Sequence, residues 1–159
     1  MRRRWWWVIA ALVIIGAPVA WYLGSPLFIN RAVEEAAAEA MPAAAVALRR
    51  GTFAGADSFH KGEGTATIYQ AGSEMILRLD SFRVTNGPDL YVILTKTAKP
   101  RSRVQVMAGY IEVAKLKGNI GSQNYILPRG LRLEDYQSVV IYCKPFHVVF
   151  ASAELAAAQ

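Results

Sequence analysis

Hydrophobic and polar positions divide the chain into three textures. Residues 5–23 carry no charge, and only Gly16 and Pro18 interrupt the apolar run. Residues 25–48 are dominated by alanine, with Glu34, Glu35 and Glu39 set among them. Beyond Arg49 the composition shifts to Gly, Thr, Val, Ile and Tyr, and the period becomes two, as in half-buried strands. Thr65, Thr67 and Tyr69 alternate with Ala66 and Ile68, and Met75, Leu77 and Leu79 alternate with Ile76, Arg78 and Asp80. The pattern predicts strands over 64–70, 75–82, 90–96, 104–116, 123–127, 138–144 and 147–152. Turn signals separate them at Ala71-Gly72-Ser73, Asn86-Gly87-Pro88-Asp89, Lys117-Gly118-Asn119 and Pro128-Arg129-Gly130. One helical turn is expected near 131–136. Seven to eight short strands at this spacing predict an all-β fold, an antiparallel sandwich or barrel.

As a helix, residues 5–23 would reach roughly 28 Å, about the hydrocarbon thickness of a bilayer. Trp5, Trp6 and Trp7 cap one end and Trp21 and Tyr22 the other, as aromatic rings do at the two headgroup levels. Arg2, Arg3 and Arg4 precede the first belt, so the positive-inside bias holds the N-terminus in the cytoplasm. The expectation is a single-pass anchor in the cell membrane, with the lipid bilayer as partner of residues 5–23 and an extracytoplasmic C-terminal domain. A cleaved signal peptide would need a small-x-small site. Pro18 stands two positions before Ala20 and Ile15 two before Ala17, so the uncleaved anchor is preferred.

Ser25-Pro26 has the chemistry of a helix start, and Met41-Pro42 that of a stop. Residues 25–48 therefore read as a partly helical stalk that spaces the domain from the bilayer. The expected organisation is an anchor over 1–24, the stalk over 25–48 and a β domain over 49–157.

Composition narrows the chemistry. The apolar fraction of 53% excludes a disordered chain. A single cysteine excludes a disulfide framework, four-cysteine zinc sites and iron–sulfur clusters built from this chain alone. The net charge is +6, of which the region from Arg49 onward holds +5. That excess demands no nucleic-acid partner, and none is expected. No hydrolytic Ser/His/Asp order, HExxH or paired-carboxylate spacing is present, so a conventional enzyme active site has no positive support. Lys96, Lys99, Arg101 and Arg103 read as a solvated loop, with anionic headgroups as the weaker alternative.

The candidate chemistry centres on Cys143. Parity places Val139, Ile141 and Cys143 on one face of a strand and Val140 and Tyr142 on the other. Cys143 is either a small core hydrophobe or a thiol that its neighbour Lys144 biases toward thiolate. His147 follows four residues later across a proline turn. A Cys–His pair of this kind suits a blue-copper loop, but no Met follows His147 and the other histidine is the distant His60. A non-covalent haem held by thiolate or imidazole stays open on chemical grounds, with copper the less expected cofactor. Cys143, His147 and His60 are the candidate cofactor-binding residues, with Cys143 the reactive one; no metal site is assigned.

Several blocks in order resemble the DM-thirteen domain: Gly51-Thr52-Phe53, Ser58-Phe59-His60-Lys61-Gly62-Glu63-Gly64-Thr65-Ala66, Leu77-Arg78-Leu79-Asp80-Ser81-Phe82, Asn86-Gly87-Pro88-Asp89-Leu90-Tyr91-Val92 and Leu116-Lys117-Gly118-Asn119-Ile120-Gly121-Ser122-Gln123-Asn124-Tyr125. The most specific are the closing blocks, Tyr136-Gln137-Ser138-Val139-Val140-Ile141-Tyr142-Cys143 and Phe150-Ala151-Ser152-Ala153-Glu154-Leu155. The resemblance covers about residues 49–155. It implies an extracytoplasmic β domain with an electron-transfer role, since some members sit beside DOMON and cytochrome b modules in membrane redox proteins. The cysteine would act as a bare thiol or hold a prosthetic group such as haem, and Cys143 is the matching position. The leading expectation is a membrane-anchored redox domain with membrane redox proteins as partners. The alternative is a non-catalytic binding or structural domain in which Cys143 is only core.

Overall fold

The computed structural model describes residues 2–25, 29–40 and 44–158. The uncharged run forms α1, Arg2–Gly24. By length and composition this helix can cross a bilayer or serve as a signal sequence, and none of its apolar window is buried against protein.

The β unit holds β1 (Val46–Gly55), β2 (Gly62–Ala71), β3 (Glu74–Val84), β4 (Leu90–Thr95), β5 (Tyr110–Lys115), β6 (Gln123–Ile126), β7 (Ser138–Cys143), β8 (Val148–Glu154) and the short β9 (Ala156–Ala157). Eight run antiparallel in the order β5-β4-β7-β8-β1-β2-β3-β6, with β9 paired to β1. The sheet curls until β5 and β6 approach each other, which makes the expected sandwich or barrel a nearly closed barrel. Tyr125 and Gln123 of β6 stitch the seam. The Tyr125 hydroxyl accepts from the Lys117 amide (3.1 Å), and the Gln123 carboxamide exchanges bonds with Gly118.

The alternation has the consequence parity requires. Ala66, Ile68, Leu77, Leu79, Val92, Leu94, Val139, Ile141 and Cys143 fill the interior with Phe53, Phe82 and Phe150. A second apolar cluster lies outside the β4–β7–β8 face, where Val140, Tyr142, Ile93 and Val149 meet Val106 and Ala56.

Three expectations differ from the structure. The strand expected over 104–116 is instead a short helix α3 (Arg103–Met107) followed by β5. Ser102 caps α3 through the Gln105 amide, and Val106 turns inward to cover the outer cluster. β1 begins at Val46 and was not among the expected strands, because Arg49 and Arg50 break its apolar rhythm. The Arg49 guanidinium donates to the carbonyls of Leu133, Tyr136 and Leu155. The helix expected over 26–40 reduces, among the described residues, to α2 (Ala37–Ala40). Pro26 and Met41-Pro42 lie outside the described residues.

Residues 29–36 form an extended strap on the barrel rather than a helix. The Val33 and Glu35 amides donate to Ile120 and Ser122 carbonyls (both 2.9 Å), and the Arg31 amide donates to Asn119 Oδ1 (2.7 Å). Glu35 accepts from Lys117 Nζ (2.7 and 2.9 Å) and from the Asn124 amide (2.8 Å). The helical composition loses here because Glu34 and Glu35 accept from the distant Ser122 and Asn124 amides.

Candidate functional site

The antiparallel pairing brings the 55–62, 84–90, 115–123 and 143–148 connections to one end of the barrel. Cys143 closes β7 at this end, paired with Leu90 on one side and Val148 on the other. It is 1% exposed and belongs to the interior cluster. Its Sγ–H donates to the Pro88 carbonyl at 3.1 Å, and the Phe146 amide also faces the sulfur. Burial pushes the thiol pKa up; the Phe146 amide works in the opposite direction, and the Asp89 carboxylate adds to the rise. Cys143 rests as a thiol.

Lys144 does not supply the cation expected beside it. Lys144 opens the turn that follows β7. The ammonium pairs with Glu112 (2.8 Å) and lies over the Tyr91 ring at 4.3 Å.

His147 also belongs to the outer face. Its Nδ1 is 3.3 Å from the Tyr142 hydroxyl, and Tyr142 packs in the outer cluster. His147 and Cys143 are thus close in the chain without converging on one ligand position. His60 lies in the 55–62 connection. Its Nδ1 meets Asp57 Oδ2 at 2.7 Å, and its ring packs on Phe150 at a centroid distance of 4.3 Å. Asp57 Oδ1 also accepts the Phe59 and His60 amides (both 2.8 Å), and these bonds hold the carboxyl pKa down to about 2. Phe150 leads back toward the thiol. A side chain at Gly87 would meet its ring, with Phe150 Cζ 2.5 Å from the added Cβ, and the next residue, Pro88, carries the carbonyl that receives the thiol. His60, Phe150, Gly87, Pro88 and Cys143 therefore form one packed line from surface to core.

Two turns roof the sulfur. Asp89 and His147, which precede the two residues paired with Cys143, both adopt left-handed φ of 55°. Such a backbone costs on the order of 1 kcal/mol in a non-glycine residue. The backbone bonds across the roof are long, Lys144 N to Asp89 O at 3.4 Å and His147 N to Lys144 O at 3.3 Å, and the side-chain ties that supplement them, Lys144–Glu112 and Lys115–Asp89, are solvent-exposed ion pairs of small worth. Residues 144–147 are all exposed. An exposed turn with long hydrogen bonds has the character of a segment that opens locally before the core does.

A polar cleft of about 660 Å³ lies at this end, lined by Asn30, Asp57, Lys61, Glu63, Arg83 and Asn86, among others. Cys143 lines neither this cleft nor the smaller one beside Asn86, Gly87 and Asp89. A haem on the thiol therefore does not fit the closed arrangement, and no grouping of three or more His, Cys, Asp or Glu suited to a metal occurs among the described residues. The chemistry that the site offers is that of the thiol itself.

Sequence reasoning missed Pro88 as the partner of the thiol, and also Asp89, Asn119 and Glu35. The Asn-Gly-Pro-Asp turn was visible, but the strand register that lays it over Cys143 was not.

Residues 52–155 match the family model described as Electron transfer DM13. No curated protein and no solved structure matches the chain.

Proposed function

This chain belongs to the Electron transfer DM13 family, and on that premise we propose that it is a membrane-anchored, extracytoplasmic redox domain whose electron-carrying group is the thiol of Cys143. At rest the sulfur is sealed and protonated. It becomes reactive when the 144–147 turn and the Pro88–Asp89 turn part, which frees it from the Pro88 carbonyl and admits water to stabilise a thiolate. The observation that carries this reading is the contrast between a buried thiol and the exposed turn above it, whose backbone bonds are long. The uncharged Trp5–Tyr22 stretch of α1 and its aromatic ends support the anchor, and the arginines of its first turn support an outward domain. His60 and His147 serve as neighbours that hold the two sides of the roof rather than as ligands.

The test is oxidation of the full chain, reconstituted in phosphatidylcholine nanodiscs, by ferricyanide. The thiol gives one electron to ferricyanide, which becomes ferrocyanide, and its proton to solvent, and the thiyl radical left on Sγ is captured by a spin trap. Wild type should consume oxidant, and a folded Cys143→Ser variant should not. Equal consumption by both would remove the cysteine from the role.

A second reading rests on the same burial. A 1% exposed cysteine among hydrocarbon neighbours is also what a purely structural core residue looks like. In that case the domain presents its loops to a partner, and the thiol reacts only on complete unfolding.

A further inference from the structure

We infer that the barrel end carrying Cys143 lies against the bilayer itself, with Phe59 and Phe146 seated in the headgroup region. This rests on the reading of α1 as an uncleaved membrane anchor. Chain length limits how the helix and the barrel can sit. The strap is fixed to the barrel at its first described residues: the Asn86 side chain donates to the Ile29 carbonyl, and the Asn119 side chain bonds both Asn30 and the Arg31 amide. The Ile29 amide in turn donates to the Ser25 carbonyl at 3.0 Å, directly after α1. Ile29 lies five residue steps beyond Gly24, a reach of at most about 18 Å. Strand β3 has 11 residues, roughly 36 Å from end to end. The opposite end of the barrel is therefore out of reach of the helix end, and the Asn86–Asn119 end is the near one.

The loop tips at this end have the chemistry of that position. Phe59 is 82% exposed and Phe146 57% exposed. They lie at the tips of the β1–β2 and β7–β8 connections, which are neighbours because β1 pairs with β8. Two phenyl rings standing in water on adjacent tips, at the end tethered to a transmembrane helix, match the preference of aromatic rings for the interface. The cations here are largely neutralised within the protein: Lys115 pairs with Asp89, Lys117 with Glu35, Arg83 with Glu63 and Lys144 with Glu112. The contact is thus apolar and does not depend on anionic lipid. Its consequence is that the roof over Cys143 opens toward the membrane surface, where a membrane-borne electron partner would meet it.

The test uses spin labels on the full chain in phosphatidylcholine vesicles, with Cys143→Ser as background so that the native thiol takes no label, at Phe59→Cys, Phe146→Cys and, as a control, Ser73→Cys in the exposed turn at the far end. Labels at 59 and 146 should be shielded from an aqueous nickel relaxant yet relaxed by lipid-soluble oxygen, whereas the label at 73 should show the opposite. Replacing a third of the lipid with phosphatidylglycerol should leave the pattern unchanged. Aqueous behaviour at 59 and 146 in chain that resists alkaline carbonate extraction overturns the orientation and leaves the anchor intact. Release of the chain by carbonate overturns the anchor as well. Shielding of both labels from both relaxants would mean that a protein covers these tips, and would equally overturn the lipid contact.

Discussion

Removing the Glu35 carboxylate should unfasten the strap without unfolding the barrel. In Glu35→Ala the buried Asn124 amide loses its acceptor and Lys117 loses a bidentate partner. A backbone hydrogen bond to a charged group contributes about 1.5–2 kcal/mol. The ion pair adds less, about 0.5 kcal/mol, because Lys117 is 40% exposed and solvent screens it. The sum is about 2 kcal/mol, or roughly thirtyfold in the opening equilibrium of the strap. Hydrogen exchange on the full chain in nanodiscs reads this directly, since the Val33 and Glu35 amides donate to Ile120 and Ser122. Both amides should exchange about thirtyfold faster, while those of β7 should keep their protection. Acid should mimic the variant. The Glu35 pKa is lowered: burial opposes ionisation, but the bonds from Lys117 and Asn124 outweigh it. A depressed carboxylate contributes stability that is fully present above its ordinary value near 4.5 and is lost as pH falls through its folded value. Unchanged exchange at 33 and 35, or equal acceleration throughout the barrel, would refute the view that this carboxylate fastens the strap.

Three other outcomes follow from the geometry. Cys143→Ala should cost about 1–2 kcal/mol in thermal unfolding, from a lost sulfur contact and an orphaned Pro88 carbonyl; Cys143→Ser should recover part of this, because its hydroxyl can again donate to Pro88. Gly64→Ala should cost more than about 2 kcal/mol, since Gly64 sits at φ 101° with Ser81 and Asp80 carbonyls 2.7 Å from the added Cβ; circular dichroism melting would detect it. Asp57 fastens the 55–62 turn only while ionised, so its contribution, full above about 3.8, should fade as pH falls toward about 2; NMR titration of Asp57 with the Phe59 and His60 amide shifts would follow it, and a midpoint near the ordinary value would refute it.

Local patterning carried much of the fold. The alternation in β2 and β3, and the parity that sent Val139, Ile141 and Cys143 inward and Tyr142 outward, were legible because a sheet has only two faces. Residues 104–107 alternate like a strand, yet Ser102 and the need to cover Ile93, Val140 and Tyr142 make them a helix. The strap was illegible for a related reason: its alanines and glutamates favour a helix locally, while its bonds are made to residues more than 80 positions away. The candidate site was half legible. Cys143 stood out as the single thiol, but its Pro88 partner and the outward turn of Lys144 and His147 depend on strand register.

The account turns on whether Cys143 can be reached while the barrel stays folded. Native-state labelling of the thiol with a small maleimide, on the full chain in nanodiscs across rising urea, measures this. If local opening exposes the sulfur, the labelling rate is nearly independent of urea below the unfolding transition and faster than global unfolding. A rate that instead rises with the full denaturant dependence of global unfolding, even in dilute urea, would contradict it and leave the cysteine as core alone.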